Sequence, residues 1–279
     1  MYEKIVSSRQ IPISVQTPFA AEIYAGGPGD VVTTNWLAWA GLRAFSIATA
    51  GTVAVRIRRV SDNVEQDFNT LANGELDRAS IATFLTATTG AFVKFYDKTG
   101  NGRHFEQATA ANQAAVNLSG LGSRVTADFT GASSHNYATA ANVTQSQPFT
   151  WYSVAKSNSG SGPILTAGGT SGSGLFLGLD GANTATIYAG LDLAAAATTG
   201  SLHALSGVAN GASSDINRNG TASTGSAGSQ TISATPLLLG NFGAGFLDGQ
   251  FLEGGIRSVA QSGADSTSLS SNAHSFWGF

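Results

Sequence analysis

Apolar positions in this chain recur in short alternating runs rather than in long helical stripes. Val53, Val55 and Ile57 alternate with Ala54, Arg56 and Arg58, the two-residue period of a strand with one apolar and one basic face. Ser61-Asp62-Asn63 closes that strand as a turn and Val64 to Phe68 returns, so Arg56 and Glu65 are expected to pair across a hairpin. Asn73-Gly74 marks the next turn, and Asp77 to Leu85 reads as a short helix whose acidic start suits the helix dipole. Ala91 to Tyr96 is a further strand. It ends at Asp97 and Gly100-Asn101-Gly102, where glycine tolerates positive φ and the Asp97 side chain can bond the turn's own amides.

From Val116 onward, apolar runs return between Gly, Asn and Ser turns: Arg124 to Phe129, Phe149 to Ala155, Ile164 to Ala167, Gly174 to Leu179, Ala185 to Ala189, Leu202 to Val208, Leu237 to Leu239 and Phe251 to Val259. Many short strands without a fixed repeat period predict a sandwich or barrel and disfavour a propeller or solenoid. Gly211 to Ser229 is low in complexity and reads as a strand plus a long loop, because similar strands resume after it. Asn35 to Phe45, with Trp36, Trp39 and Ala40 at helical spacing, reads as a short helix. Its two tryptophans could stack on a sugar, but core packing against a sheet is the commoner use. Ser266 to Phe279 reads as a short helix or an extended tail. Residues 1–30 read as an N-terminal arm or attachment segment, with Ile11, Ile13 and Val15 alternating before the Gly26-Gly27-Pro28-Gly29 break. An ordinary first strand fits them equally well. Residues 31–279 then form one domain.

Composition agrees with this organisation: 42% of residues are hydrophobic, 11% are charged, and Gly contributes 35 residues of 279. A helical bundle needs more Glu, Lys and Leu, and a disordered chain would not carry 15 Phe. A net charge of −3 argues against nucleic acid as a partner, since the one basic cluster, Arg56, Arg58 and Arg59, is followed by Asp62, Glu65 and Asp67. No run of apolar residues is long enough for a membrane helix. The N-terminus has no apolar segment of the signal-peptide kind, so Sec export is not expected. There are no cysteines, and His104, His135, His203 and His274 lack metal-ligand spacing. Gly172-Ser173-Gly174 lacks the lysine and helix of a phosphate loop. Asp180 and Asn183, in an Asp-Gly-Ala-Asn run, are weak candidates for calcium, a run more often found as a plain turn.

Three segments carry a resemblance. RIRRVSDNVEQDF, KFYDKTGNGRHFEQATAANQ and LLLGNFGAGFLDGQFLEGGI stand in the order and register of the catalytic domain of the arabinofuranosidase B family, and the likeness extends over most of Thr33 to Val259. The resemblance implies an all-β, concanavalin A-like (LamG-like) jelly-roll sandwich of two antiparallel sheets, with a few short helices. It also implies a proton-donor Asp in a Gly-Gly-Asp-Asn stretch. Here that stretch is Leu239-Gly240-Asn241-Phe242-Gly243, and the next carboxylate is Asp248. The family's nucleophilic Glu falls near Ile187 to Ala195, where this chain offers Asp192. Leu85 and Gly90 stand where the family has a bridging cysteine pair.

Asparagine cannot deliver a proton. The departure predicts a non-catalytic protein, and the resemblance implies a structural protein of a phage or phage-like particle, a head decoration, fibre or tail-attached module. Related domains occur in such virion proteins, so the expected location is the virion, after synthesis in the bacterial host cytoplasm. The expected partners are other virion proteins reached through the arm, further copies of the chain, and a host surface polysaccharide. Trp151, Tyr152, Tyr188 and Tyr137 are the glycan-binding candidates. The alternative is a glycoside hydrolase acting on arabinose-containing polysaccharide through Asp192 and Asp248.

Overall fold

The computed structural model describes residues 24–158, 161–168, 174–180 and 183–279. The first strands are β1 (Trp36–Gly41), β2 (Val53–Arg59), β3 (Glu65–Asn69), β4 (Gly90–Phe95) and β5 (Phe105–Glu106). Then come β6 (Ala115–Leu121), β7 (Arg124–Phe129), β8 (Tyr137–Thr139), β9 (Val143–Gln145), β10 (Phe149–Ser157), β11 (Ser161–Ala167) and β12 (Leu175–Asp180). They are followed by β13 (Thr184–Tyr188), β14 (Asp192–Ala196), β15 (His203–Ala209), β16 (Ser214–Arg218) and β17 (Thr221–Gly225). The last are β18 (Ile232–Thr235), β19 (Leu237–Leu239), β20 (Asn241–Phe242), β21 (Gly245–Phe246) and β22 (Gly249–Arg257). The helices are α1 (Pro28–Val31), α2 (Arg78–Phe84) and α3 (Gly263–Trp277).

The strand registers resolve into two antiparallel layers. In the first, β17-β16-β15-β10-β22 run side by side, and the far edge of β22 is shared by β1 and by β7, which continues to β6. The second runs β14-β13-β12-β11-β19-β8-β5-β4-β2-β3. The single pair Ala91↔Ala115 ties the layers at one side. This is an all-β jelly-roll sandwich. The core between the layers takes Phe149 and Trp151 from β10 and Phe251 from β22. Phe251 meets Phe95 and Phe129 edge-on at 5.8 and 6.4 Å between ring centres.

The first layer is covered on its outer face as well, which is why β10 and β22 are buried along nearly their whole length. Helix α3 lies on that face. Ser266, Leu269, Ser270, Ala273 and Trp277 recur at helical spacing along its buried stripe, and the Ser262 side chain caps it by accepting from Asp265 N at 3.1 Å. The helix reading of the C-terminal segment is therefore the one the structure adopts. Helix α2 has Asp77 as its cap, with Ser80 N donating at 3.0 Å.

Two sequence expectations are corrected. Asn35 to Phe45 contains strand β1, not a helix. Trp36, Trp39 and Ala40 fit helical spacing, but they fit equally a strand buried on both faces with a register irregularity after Trp36, and the open edge of β22 decides between them. Gly255 permits this, because a side chain there would strike the Trp36 and Trp39 rings. Gly211 to Ser229 holds two strands rather than one. β16 and β17 form a hairpin around Asn219-Gly220, both at positive φ (52° and 87°), as a tight hairpin turn requires.

Residues 1–23 of the expected arm lie outside the described residues. From Tyr24 the chain is packed onto the domain: Tyr24 Oη donates to Ala44 O at 2.6 Å, and Asn272 Nδ2 donates to Gly26 O at 3.1 Å. Among the described residues, no helix is long and apolar enough to cross a membrane.

Candidate functional site

The turn after β4 is a clasp. Asp97 is buried, and its carboxylate accepts the backbone N–H groups of Trp39, Thr99 and Arg103, each at 3.0 Å. Asn101 Nδ2 donates to Trp36 O at 2.9 Å, and Gly100 and Gly102 take positive φ (89° and 67°). Strand β1 and the turn after β4, distant in sequence, are thereby locked together, and the Asp97 carboxylate is committed to the turn rather than to chemistry.

Three of the four glycan-binding candidates are core residues, so the expectation of an exposed stacking surface fails for them. Trp151 packs edge-on to Phe149 inside the sandwich at 6.1 Å. Tyr137 is buried, accepts Ala114 N and donates to Phe92 O, both at 2.8 Å. Tyr152 is buried beneath the segment that carries Trp36 and Trp39, and its hydroxyl donates to Glu253 at 2.9 Å. Strand alternation puts aromatic residues on both faces of a layer, and only the tertiary cover tells which face is wet.

Tyr188 is the exception, and the register shows what it belongs to. One continuous cross-strand row runs over the outer face of the second layer: Asp192, Tyr188, Phe176, Thr166, Leu238, Ala138, Glu106, Lys94, Arg56 and Asp67. Residues directly opposed in a ladder share a face, so their side chains line up. The first half is aromatic. Tyr188 stacks on Phe176 (5.6 Å between ring centres, 16° between planes), and Phe176 tilts against Phe242 of the β20–β21 hairpin at 4.9 Å. The hairpin is pinned there by Thr166 Oγ1, which donates to Asn241 O at 2.7 Å. Phe176, Tyr188 and Phe242 are each half-buried, and Asp192 is exposed at the end of the row. The second half is charged. Lys94 meets Glu106 at 2.8 Å, and Arg56 holds Asp67 through two bonds of 2.7 and 3.1 Å. Glu65, the partner expected for Arg56, stands farther off at 4.0 Å. The Arg56 hydrogen bonds hold the Asp67 carboxyl below its usual range, while burial and the bond to Asp67 push the Tyr96 hydroxyl up.

The two carboxylates proposed from sequence stand on different layers. Asp192 begins β14 in the second layer. Asp248 lies where β22 enters the first layer, its carbonyl accepting Asn158 N at 2.7 Å and its Cβ facing Gly131. Asn241 Nδ2 donates to Gly243 O at 3.2 Å.

The calcium candidates divide. Asp180 ends β12 opposite Thr184, with its side chain outside the described residues, and Asn183 Oδ1 accepts Thr199 N at 3.0 Å. Among the described residues, no group of three or more His, Cys, Asp or Glu is placed to hold a metal.

No protein-family model and no curated protein matches the sequence. The fold does have solved counterparts. A GH54 α-L-arabinofuranosidase soaked with a cyclic sulfate inhibitor superposes with a TM-score of 0.64 at 17% identity, over 88% of this chain and 64% of that one. An arabinofuranosidase complexed with arabinofuranosyl-α-1,2-xylobiose gives 0.65 at 17% identity, with the same coverages of 88% and 64%. A GH54 mutant soaked with 4-nitrophenyl α-L-arabinofuranoside gives 0.67 at 17% identity, again over 88% and 64%. The chain thus spans about two thirds of the length of these structures. At this identity the likeness defines the class of fold, a jelly roll of the arabinofuranosidase kind. It also corrects the expectation of a non-catalytic protein, since the three solved structures named above, which share this fold, are arabinofuranosidases.

Proposed function

We propose that the chain is a glycoside hydrolase acting on arabinose-containing polysaccharide, with the substrate laid along the aromatic half of the second layer's outer face. The observation that carries this reading is the row Asp192–Tyr188–Phe176 with Phe242 beside it, in which stacked, half-exposed rings end at an exposed carboxylate. Sugar C–H faces pack on such rings, and their polar edges are left to reach Asp192. The shared fold of the arabinofuranosidases supports the same assignment.

Asp192 then acts as nucleophile or as base toward water. The next carboxylate in the row, Glu106, lies six ladder steps away, roughly 29 Å, too far to protonate the same leaving group. An enzyme that works with one carboxylate favours a leaving group that needs no proton. Release of nitrophenol from 4-nitrophenyl α-L-arabinofuranoside should therefore outpace release of arabinose from arabinan. Asp192→Asn should abolish both, while Asp248→Asn should leave both unchanged. Absence of any release from either substrate would overturn the assignment. We further place the protein in a phage or phage-like particle, a setting supported by the sequence resemblance; mass spectrometry of purified particles tests it.

A further inference from the structure

The largest cleft among those described lies on the other layer, away from the aromatic row. Its volume is about 540 Å³, within the range of small-ligand sites, and it opens where the C-terminal end of α3 stops short of the edge of the first layer. Lys156 and Gln250 are directly opposed in β10 and β22 and form part of its floor. Arg218 ends β16 and Asn219 starts the following turn, forming one wall; His203 and His274 close the others.

The charge balance of this cleft is one-sided. Neither Lys156 nor Arg218 forms an ion pair among the described residues, although the other arginines of the strands mostly do. The polar groups around them are held in place. His203 Nε2 lies 3.1 Å from Thr198 N and 3.0 Å from Thr198 O, and its Nδ1 lies 3.3 Å from Asn219 Nδ2. Gln250 Nε2 donates to Asp128 Oδ1 at 3.2 Å, and that carboxylate is also occupied by Asn117 and Thr126. His274 Nδ1 lies 2.7 Å from Ser270 O. The Phe279 ring, 4.3 Å from that of His274, gives the cleft an apolar edge. Two unpaired cations, fixed amide and imidazole groups and one aromatic edge suit a small ligand bearing an oxyanion.

We propose that this cleft binds an anionic oxygen group, the carboxylate of an acidic sugar or a phosphate, between Lys156 and Arg218. Titration calorimetry on the full chain, with trigalacturonate, inorganic phosphate and neutral arabinotriose as probes, tests it. Trigalacturonate should bind, and Lys156→Met and Arg218→Met should each weaken it about tenfold, while Tyr188→Ala leaves it unchanged. Arabinotriose should show the opposite dependence, so failure of the cleft and failure of the hydrolase assignment are told apart. Phosphate binding without trigalacturonate binding supports the anion site and assigns it to phosphate. Lys156→Arg, which keeps the charge if the methionine variant does not fold, should retain binding. No binding of either anion, or binding indifferent to both cations, would overturn the proposal.

Discussion

The outer faces of the two layers use the same residue types to opposite ends. On the first layer, Arg43 grips Glu253 through Nε and through a 2.7 Å bond from Nη2, with both side chains fully buried. Tyr152 adds a hydrogen bond to the same carboxylate, and Phe276 of α3 lies over the guanidinium at 4.8 Å. On the second layer, Arg56 grips Asp67 with the same two-pronged geometry, but each side chain is about a third exposed (37% and 36%). The aromatic residues divide likewise: Tyr152 and Trp39 stack under cover, whereas Tyr188 and Phe176 stack at the surface. Burial, not chemistry, makes one set structural and leaves the other free to meet a ligand. It also sets the protonation behaviour. Burial and the Glu253 charge push the Tyr152 hydroxyl far above its ordinary value. For Arg43, burial favours loss of the proton, and the Glu253 charge and hydrogen bonds outweigh it.

The sharpest way to break this contrast is to remove one partner of the covered pair. Glu253→Ala strands the Arg43 charge and should cost about 3–5 kcal/mol by urea denaturation; a double Arg43→Met, Glu253→Leu change should recover most of it. A double variant no more stable than the single would show that the pair itself, not the stranded charge, carries the loss. Next come the aromatics. Trp151→Ala should cost about 3–5 kcal/mol, and Tyr188→Ala only about 1–2 kcal/mol while reducing sugar binding. Equal destabilisation would mean that the outer row is core after all. On the exposed pair, Asp67→Ala should cost about 0.2–1 kcal/mol, falling further in high salt.

The smallest effect is the pH dependence. His135 and His203 lie below the ordinary imidazole value of 6.5, chiefly through burial. The unfolded chain therefore takes up protons first. Stability is full above 6.5, falls as the pH drops below 6.5 toward the depressed folded values, and then levels off. Asp215, raised by burial, acts in the opposite sense at lower pH. Urea midpoints from pH 8 downward should show the decline begin near 6.5, and a midpoint that rises on acidification there would contradict it.

Much of the architecture was legible along the chain. The Val53–Phe68 hairpin, the α2 cap at Asp77 and the turn from Asp97 to Gly102 are local devices, decided by residues within a few positions of one another. The resemblance in three short segments likewise pointed to the jelly roll. What failed to read correctly were positions whose neighbours are distant. Trp36 and Trp39 read as helical, and the edge of β22 makes their segment a strand. Trp151, Tyr152 and Tyr137 carry no local mark that distinguishes them from Tyr188. The charges of Lys156 and Arg218, which form no ion pair among the described residues, mean nothing until β10 and β16 bring them to one cleft.

By itself, then, the sequence determined where most strands and turns fall, because alternation and turn chemistry are properties of adjacent residues, and its resemblance pointed to a two-layered β-sandwich. Only the tertiary structure decided which aromatic and charged groups face water. Exposure depends on what lies above each face, and helix α3 and the segment from Tyr24 onward cover one layer and leave the other open.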